Sequence, residues 1–137
     1  MENKDNKTEV VVFESLKEFS NVLEKYPLII SSVNENNYPN ACIVSDYFVL
    51  DENRIVISVN EMIKTPDNVM QNSNVCLLCY DLDFSGIRLV GEASFLRTGE
   101  IYDLVVQKFK NEETNPKGAI LIEVLKVEKF WIKVQKI

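Results

Sequence analysis

Residues 60–69 read Asn-Glu-Met-Ile-Lys-Thr-Pro-Asp-Asn-Val, and they put a cation directly before a well-marked helix start. Thr65 is a good N-cap, Pro66 suits the first helical position, and Asp67 complements the dipole in the first turn. Lys64 stands on the unfavourable side of that dipole, because helix N-termini favour negative charge. A bound anion resolves the conflict. The Lys64 ammonium, the Thr65 hydroxyl and free backbone N–H groups can converge on one oxygen cluster, as a phosphate requires. Pro66 donates nothing, so this reading draws its backbone donors from Asp67 and Asn68, with the Asn68 side-chain amide also in reach. The plain alternative is a solvated lysine that precedes a helix by chance.

Other chemistries are narrowed by what the chain lacks. It has no histidine, which removes Ser-His and Cys-His nucleophilic pairs, most zinc sites and any imidazole base. Chemistry here points to a cofactor. Cys76 and Cys79 have redox spacing, but they lie in an apolar run that reads as a strand, where residues three apart face opposite sides. A Schiff-base role for Lys64 with pyridoxal phosphate ranks low, since a lysine beside a phosphate stays charged. Asp81 and Asp83 fit a turn, and Glu112 and Glu113 a solvated loop. The formal charge of −6 argues against nucleic acid as a partner. No apolar run approaches a membrane span. The polar start has no signal core, so residues 1–12 read as a flexible leader and a cytoplasmic location is expected.

The elements that must position Lys64 follow from periodicity. Ser15 and Glu18 have capping-box spacing, and Leu16, Phe19, Val22, Leu23 and Tyr26 line one helical face up to Pro27. Strands are expected over 28–33, 41–50, 54–59, 75–82, 87–97, 119–127 and 128–134, with helices at 65–71 and 99–109. Gly91 marks a bulge or a close approach. One domain over 13–137 results, with 46% apolar residues and length for a substantial core. The class is mainly β: a six- to seven-stranded antiparallel barrel decorated by about three short helices. Lys64 then sits where a barrel strand ends and a short helix begins.

A longer pattern surrounds this corner: "NRIV" at 53–56, Met62, "KT" at 64–65, "NV" at 68–69, "GEASFLRTG" at 91–99, "FK" at 109–110 and "AILIEV" at 119–124. In order and spacing it resembles the FMN-binding split-barrel proteins, the superfamily named for pyridoxamine 5′-phosphate oxidase, and within it the small FMN-binding proteins of sulfate reducers. The resemblance implies a split β-barrel that forms a homodimer, with one FMN at each end of the subunit interface. It puts the flavin phosphate on Lys64 and Thr65, with Ser58 nearby and Asn68 in support. Val59, Asn60, Glu61 and Met62 would pass along the flavin, and Val44, Ser45 and Asp46 would run beside the isoalloxazine ring.

There are departures. Where the vitamin-B6 oxidases carry basic residues, this chain has Cys42, Tyr47 and Ile63, which argues against oxidation of a phosphorylated amine. Asn60 and Glu61 replace glycines of the small FMN-binding proteins, and a carboxylate at 61 that points inward lowers the flavin potential. The tryptophan those proteins place before the last strands is missing, and Trp131 reads as core or interface. The expected function is an FMN flavoprotein for electron transfer or flavin-dependent oxidoreduction, with the redox partner or small-molecule substrate unspecified. The alternative is a non-catalytic binding or storage protein for flavin, haem or a deazaflavin on the same barrel. No catalytic side chain and no metal ligand is assigned.

Overall fold

The structure, a computed structural model, describes residues 6–132. Its strands are β1 (Asn6–Val11), β2 (Leu28–Val33), β3 (Pro39–Val44), β4 (Tyr47–Val49), β5 (Arg54–Val59), β6 (Asn74–Tyr80), β7 (Ser85–Leu96) and β8 (Gly118–Ile132). Helices α1 (Lys64–Gln71) and α2 (Glu100–Phe109) interrupt them. Seven strands follow the order β3-β2-β6-β7-β8-β5-β4, and β1 pairs with β8 outside that path. All pairings are antiparallel.

The order explains the curvature. β3 and β4 are its two ends, yet only Ser45 and Asp46 separate them in sequence, so the sheet must curl until those ends meet. Ser58 N–H donates to the Asp46 carbonyl at 2.9 Å and holds that two-residue connection, the seam between β3 and β4, against β5. The result is the split barrel that the sequence pattern implied.

β5 is buried along its length after Arg54 because both of its faces are covered. Ile55, Ile57 and Val59 point into the barrel with Leu28, Ile30, Leu77, Leu89, Ile120 and Ile122. Val56 points the other way, into a second cluster with Phe48, Val105 and Ala119 beneath α2.

Several elements differ from the sequence reading. The capping box of Ser15 and Glu18 is present, but it opens a one-turn 3-10 helix, Leu16–Phe19, in place of a long first helix. The chain then runs through turns to Tyr26, with Val22 and Lys25 N–H groups bonding three residues back. Tertiary contacts overrule the local preference: Tyr47 Oη accepts from Glu24 N–H at 2.6 Å, and Glu24 is held at φ 67°. The expected strand at 41–50 is two strands, broken at the seam, and the last two expected strands are one, β8. Gly91 meets both expectations. The β7–β8 register slips between Val90 and Gly91, and a Cβ at 91 would lie 2.2 Å from the Glu123 carbonyl oxygen. Of the expected leader, residues 6–11 form β1, and residues 1–5 lie outside the described residues.

Candidate functional site

α1 starts at Lys64 with Ile63 in the cap position, two residues earlier than Thr65 as N-cap requires. The reason lies in Thr65. Its hydroxyl does not cap the helix but faces β3, with Asn40 Nδ2 donating to it at 3.4 Å and Cys42 Sγ 3.3 Å away. Thr65 is 1% exposed. Pro66 falls in the third helical position, which still costs no hydrogen bond because the first four N–H groups have no intrahelical acceptor. The free donors therefore shift as well. Asp67 N–H reaches the Ile63 carbonyl at 3.5 Å. The N–H groups of Lys64 and Thr65 have no protein acceptor among the described residues, and the Lys64 side chain is exposed. Asn68 is 8% exposed and donates its amide to Ser32 Oγ at 3.1 Å, so it locks α1 to β2.

A cavity of about 450 Å³ opens beside this corner, a size that suits a small organic ligand. It brings together Val44, Ser45, Asp46, Ser58, Asn60, Glu61 and Met62. Cys42 joins them and touches Thr65, so the cavity and the helix start share a wall. Lys64, Thr65 and Asn68 do not line the cavity, and Val59 turns into the core at 2% exposure.

One polar chain crosses the cavity floor. Ser58 Oγ donates to Asn60 Oδ1 at 2.7 Å, and Asn60 Nδ2 donates to Asp46 Oδ2 at 2.9 Å. The chain ends on a carboxylate, which orients the Asn60 amide: its nitrogen faces Asp46 and its oxygen faces Ser58. Asp46 thus ties the β3–β4 connection to the end of β5 twice, by its backbone carbonyl and by its side chain.

The far wall is the loop after α2, which supplies Glu113, Thr114, Asn115 and Lys117. Read in sequence, Glu113 belongs to a solvated loop, and nothing local indicates otherwise. The signal was non-local. Gly118 pairs with Val59, so whatever precedes β8 must lie against the end of β5. Asp46, Glu61 and Glu113 make the lining mainly acidic, with Lys117 as its single cation.

The three cysteines are free. Cys76 and Cys79 face opposite sides of β6, and Cys79 is fully buried with Sγ 3.3 Å from the Val22 carbonyl. No group of residues suited to hold a metal ion occurs among the described residues. No helix there is long and apolar enough to cross a membrane.

Comparison with known proteins extends this geometry. The family model described as pyridoxamine 5′-phosphate oxidase matches residues 14–132. An uncharacterized protein of Methanocaldococcus jannaschii is 27% identical over 112 residues, covering 77% of this chain and 73% of that one. HupZ of Group A Streptococcus superimposes with a TM-score of 0.72 at 19% identity, over 81% of this chain and 90% of that one. An FMN-binding protein of Syntrophomonas wolfei subsp. wolfei superimposes with a TM-score of 0.64 at 20% identity, over 80% of this chain and 78% of that one.

Proposed function

The chain belongs to the pyridoxamine 5′-phosphate oxidase family, and from that premise we propose that it is a flavoprotein that holds FMN non-covalently for electron transfer or flavin-dependent oxidoreduction. One observation carries the reading. A ligand-sized cavity lies beside a helix start whose lysine and two unpartnered N–H groups are suited to a phosphate. The FMN-binding protein with the same fold supports the choice of flavin.

Bound FMN supplies the redox chemistry, and the protein supplies position, charge and hydrogen bonds. Lys64 provides the cation, and the Lys64 and Thr65 N–H groups provide directed donors. Thr65 and Asn68 hold α1 in place, through β3 and Ser32, and contribute rigidity more than direct contact. Val44–Asp46 and Asn60–Met62, which line the cavity, would hold the flavin ring between them. Ser58, Asn60 and Asp46 present a fixed array of donor and acceptor atoms to it.

The acidic lining sets this protein apart from the oxidase that names the family. A phosphorylated substrate entering the cavity beside FMN meets Asp46, Glu61 and Glu113 and only one ammonium, that of Lys117. Cys42 lines the cavity with a thiol. Oxidation of pyridoxamine 5′-phosphate is therefore not the proposed activity.

We propose further that the working unit is a homodimer. Ile43 lines the cavity yet is 74% exposed, so a second subunit that covers Ile43 also closes the site.

Titration with FMN and riboflavin tests the cofactor assignment. FMN binds more tightly than riboflavin, and Lys64→Ala weakens FMN about tenfold while leaving riboflavin unchanged, as expected for a lost charge-assisted contact. A protein that binds neither flavin, or a variant with unaltered FMN affinity, overturns it.

A further inference from the structure

The loop that forms the far wall is short and exposed at Glu113, Asn115 and Lys117, and in sequence it reads only as a charged, solvated connection. Its hydrogen bonds say otherwise. Asn111 Oδ1 accepts from two backbone N–H groups, those of Glu113 at 2.8 Å and Thr114 at 2.7 Å. Asn111 N–H in turn donates to the Thr114 carbonyl at 3.0 Å, which closes residues 111–114 into a compact turn. Downstream, Tyr102 on α2 donates its hydroxyl to the Pro116 carbonyl at 2.9 Å. Lys117 N–H donates to the Val59 carbonyl at 2.7 Å, beside Ser58 and Asn60. The segment is thus fastened at its start, near its end and at its junction with β5. Gly118 completes the fit, since a Cβ there would lie 2.4 Å from the Phe95 ring.

We infer that residues 113–117 are a preformed recognition wall for the uncharged heteroaromatic end of the ligand, and that Asn111 and Tyr102 are the positioning residues that set it. The inference rests on the flavin reading above and adds to it the side of the site that the phosphate corner does not control. Thr114 and Asn115 offer a hydroxyl and an amide to the cavity, groups that match the neutral donors and acceptors of a flavin ring. Fastening before binding matters energetically, because an ordered loop pays no ordering entropy when the ligand arrives. Neither Asn111 nor Tyr102 lines the cavity, so both act through the loop.

The test uses the full chain and FMN, at temperatures where thermal melts show every variant folded. Two quantities are read: the dissociation constant, and the shape of the visible absorption band of bound FMN, which reports the surroundings of the ring. Tyr102→Phe and Asn111→Ala each weaken FMN about fivefold, the value of one hydrogen bond, and alter the band. Asn111→Asp keeps the acceptor oxygen and restores both. Lys64→Ala weakens FMN but leaves the band as in the wild type. If Tyr102→Phe and Asn111→Ala match the wild type in both readouts, or if Asn111→Asp fails as Asn111→Ala does, the wall is overturned while the flavin reading stands. A wild-type protein that does not bind FMN overturns both.

Discussion

At the scale of single residues, Tyr47 decides more of the structure than its place in the sequence suggests. It is 6% exposed, and its hydroxyl accepts from Glu24 N–H while donating to the Tyr26 carbonyl at 2.5 Å. Tyr47→Phe strands both backbone groups, at a cost of about 1–3 kcal/mol visible as a lower urea midpoint. The pH dependence of that loss has a definite sign. Burial, with the Cys79 thiol beside it, pushes the Tyr47 phenol well above its ordinary range. An unfolded tyrosine loses its proton near pH ~10, while the folded one keeps it, so the unfolded state binds fewer protons above that pH. The stability owed to Tyr47 is full below pH ~10 and declines as the pH climbs from there toward the folded value. The phenylalanine variant lacks this decline. Urea midpoints taken from neutral to alkaline pH therefore draw together for the two proteins, and a constant separation would contradict the assignment.

At the scale of elements, the seam between β3 and β4 joins fold to site, and Asn60 is its pivot. Asn60→Asp places a second carboxylate against Asp46, where an amide nitrogen now donates at 2.9 Å. Two such groups share one proton, so the folded pair titrates above the unfolded carboxyl value of about 4. The variant is near wild-type stability below that pH and loses about 1–2 kcal/mol as the pH rises toward neutrality. Melting temperatures measured between acidic and neutral pH should show the gap opening with pH; a gap indifferent to pH would separate residue 60 from Asp46. The same elements mark what the sequence could tell. The end of β5 was legible because its β-branched run gives out after Val59 at Asn60. A helix near 65 was legible from Thr65 and Pro66, although α1 opens at Lys64 with Ile63 as its cap. That Thr65 faces β3 was not, since periodicity treats a helix without its neighbours. The 3-10 turn was hidden for the same reason: the capping box is local, whereas the capture of Glu24 by Tyr47 spans 23 residues. Glu113, Thr114, Asn115 and Lys117 reach the cavity only through the pairing of β8 with β5, which no window of adjacent residues contains.

At the scale of the whole molecule, the outer face of β3, β2 and β6 requires an explanation. Residues paired across strands share a face, so Ile43, Ile29 and Leu78 form one row, and Ala41, Ser31, Cys76 and Val90 the next. Ile43 is 74% exposed and Val90 36%, in a chain whose net charge of −6 otherwise favours solubility. Beyond the rows, Arg88 pairs with Glu128 at 3.5 Å and supplies a polar margin, the usual arrangement of an apolar interface centre with a charged rim. This strip is the proposed dimer surface, and because Ile43 belongs to both strip and cavity, association and cofactor binding are expected to be linked. Val90→Glu separates the two effects, since Val90 does not line the cavity. Sedimentation should give a dimer for the wild type and a monomer for Val90→Glu, and FMN affinity should fall in the variant although no cavity residue has changed. Leu82→Glu, at an 84% exposed position in the β6–β7 turn and off the strip, should leave both properties intact. A monomeric Val90→Glu protein that binds FMN as tightly as the wild type would detach the site from the interface, and a dimeric one would move the interface elsewhere on the barrel.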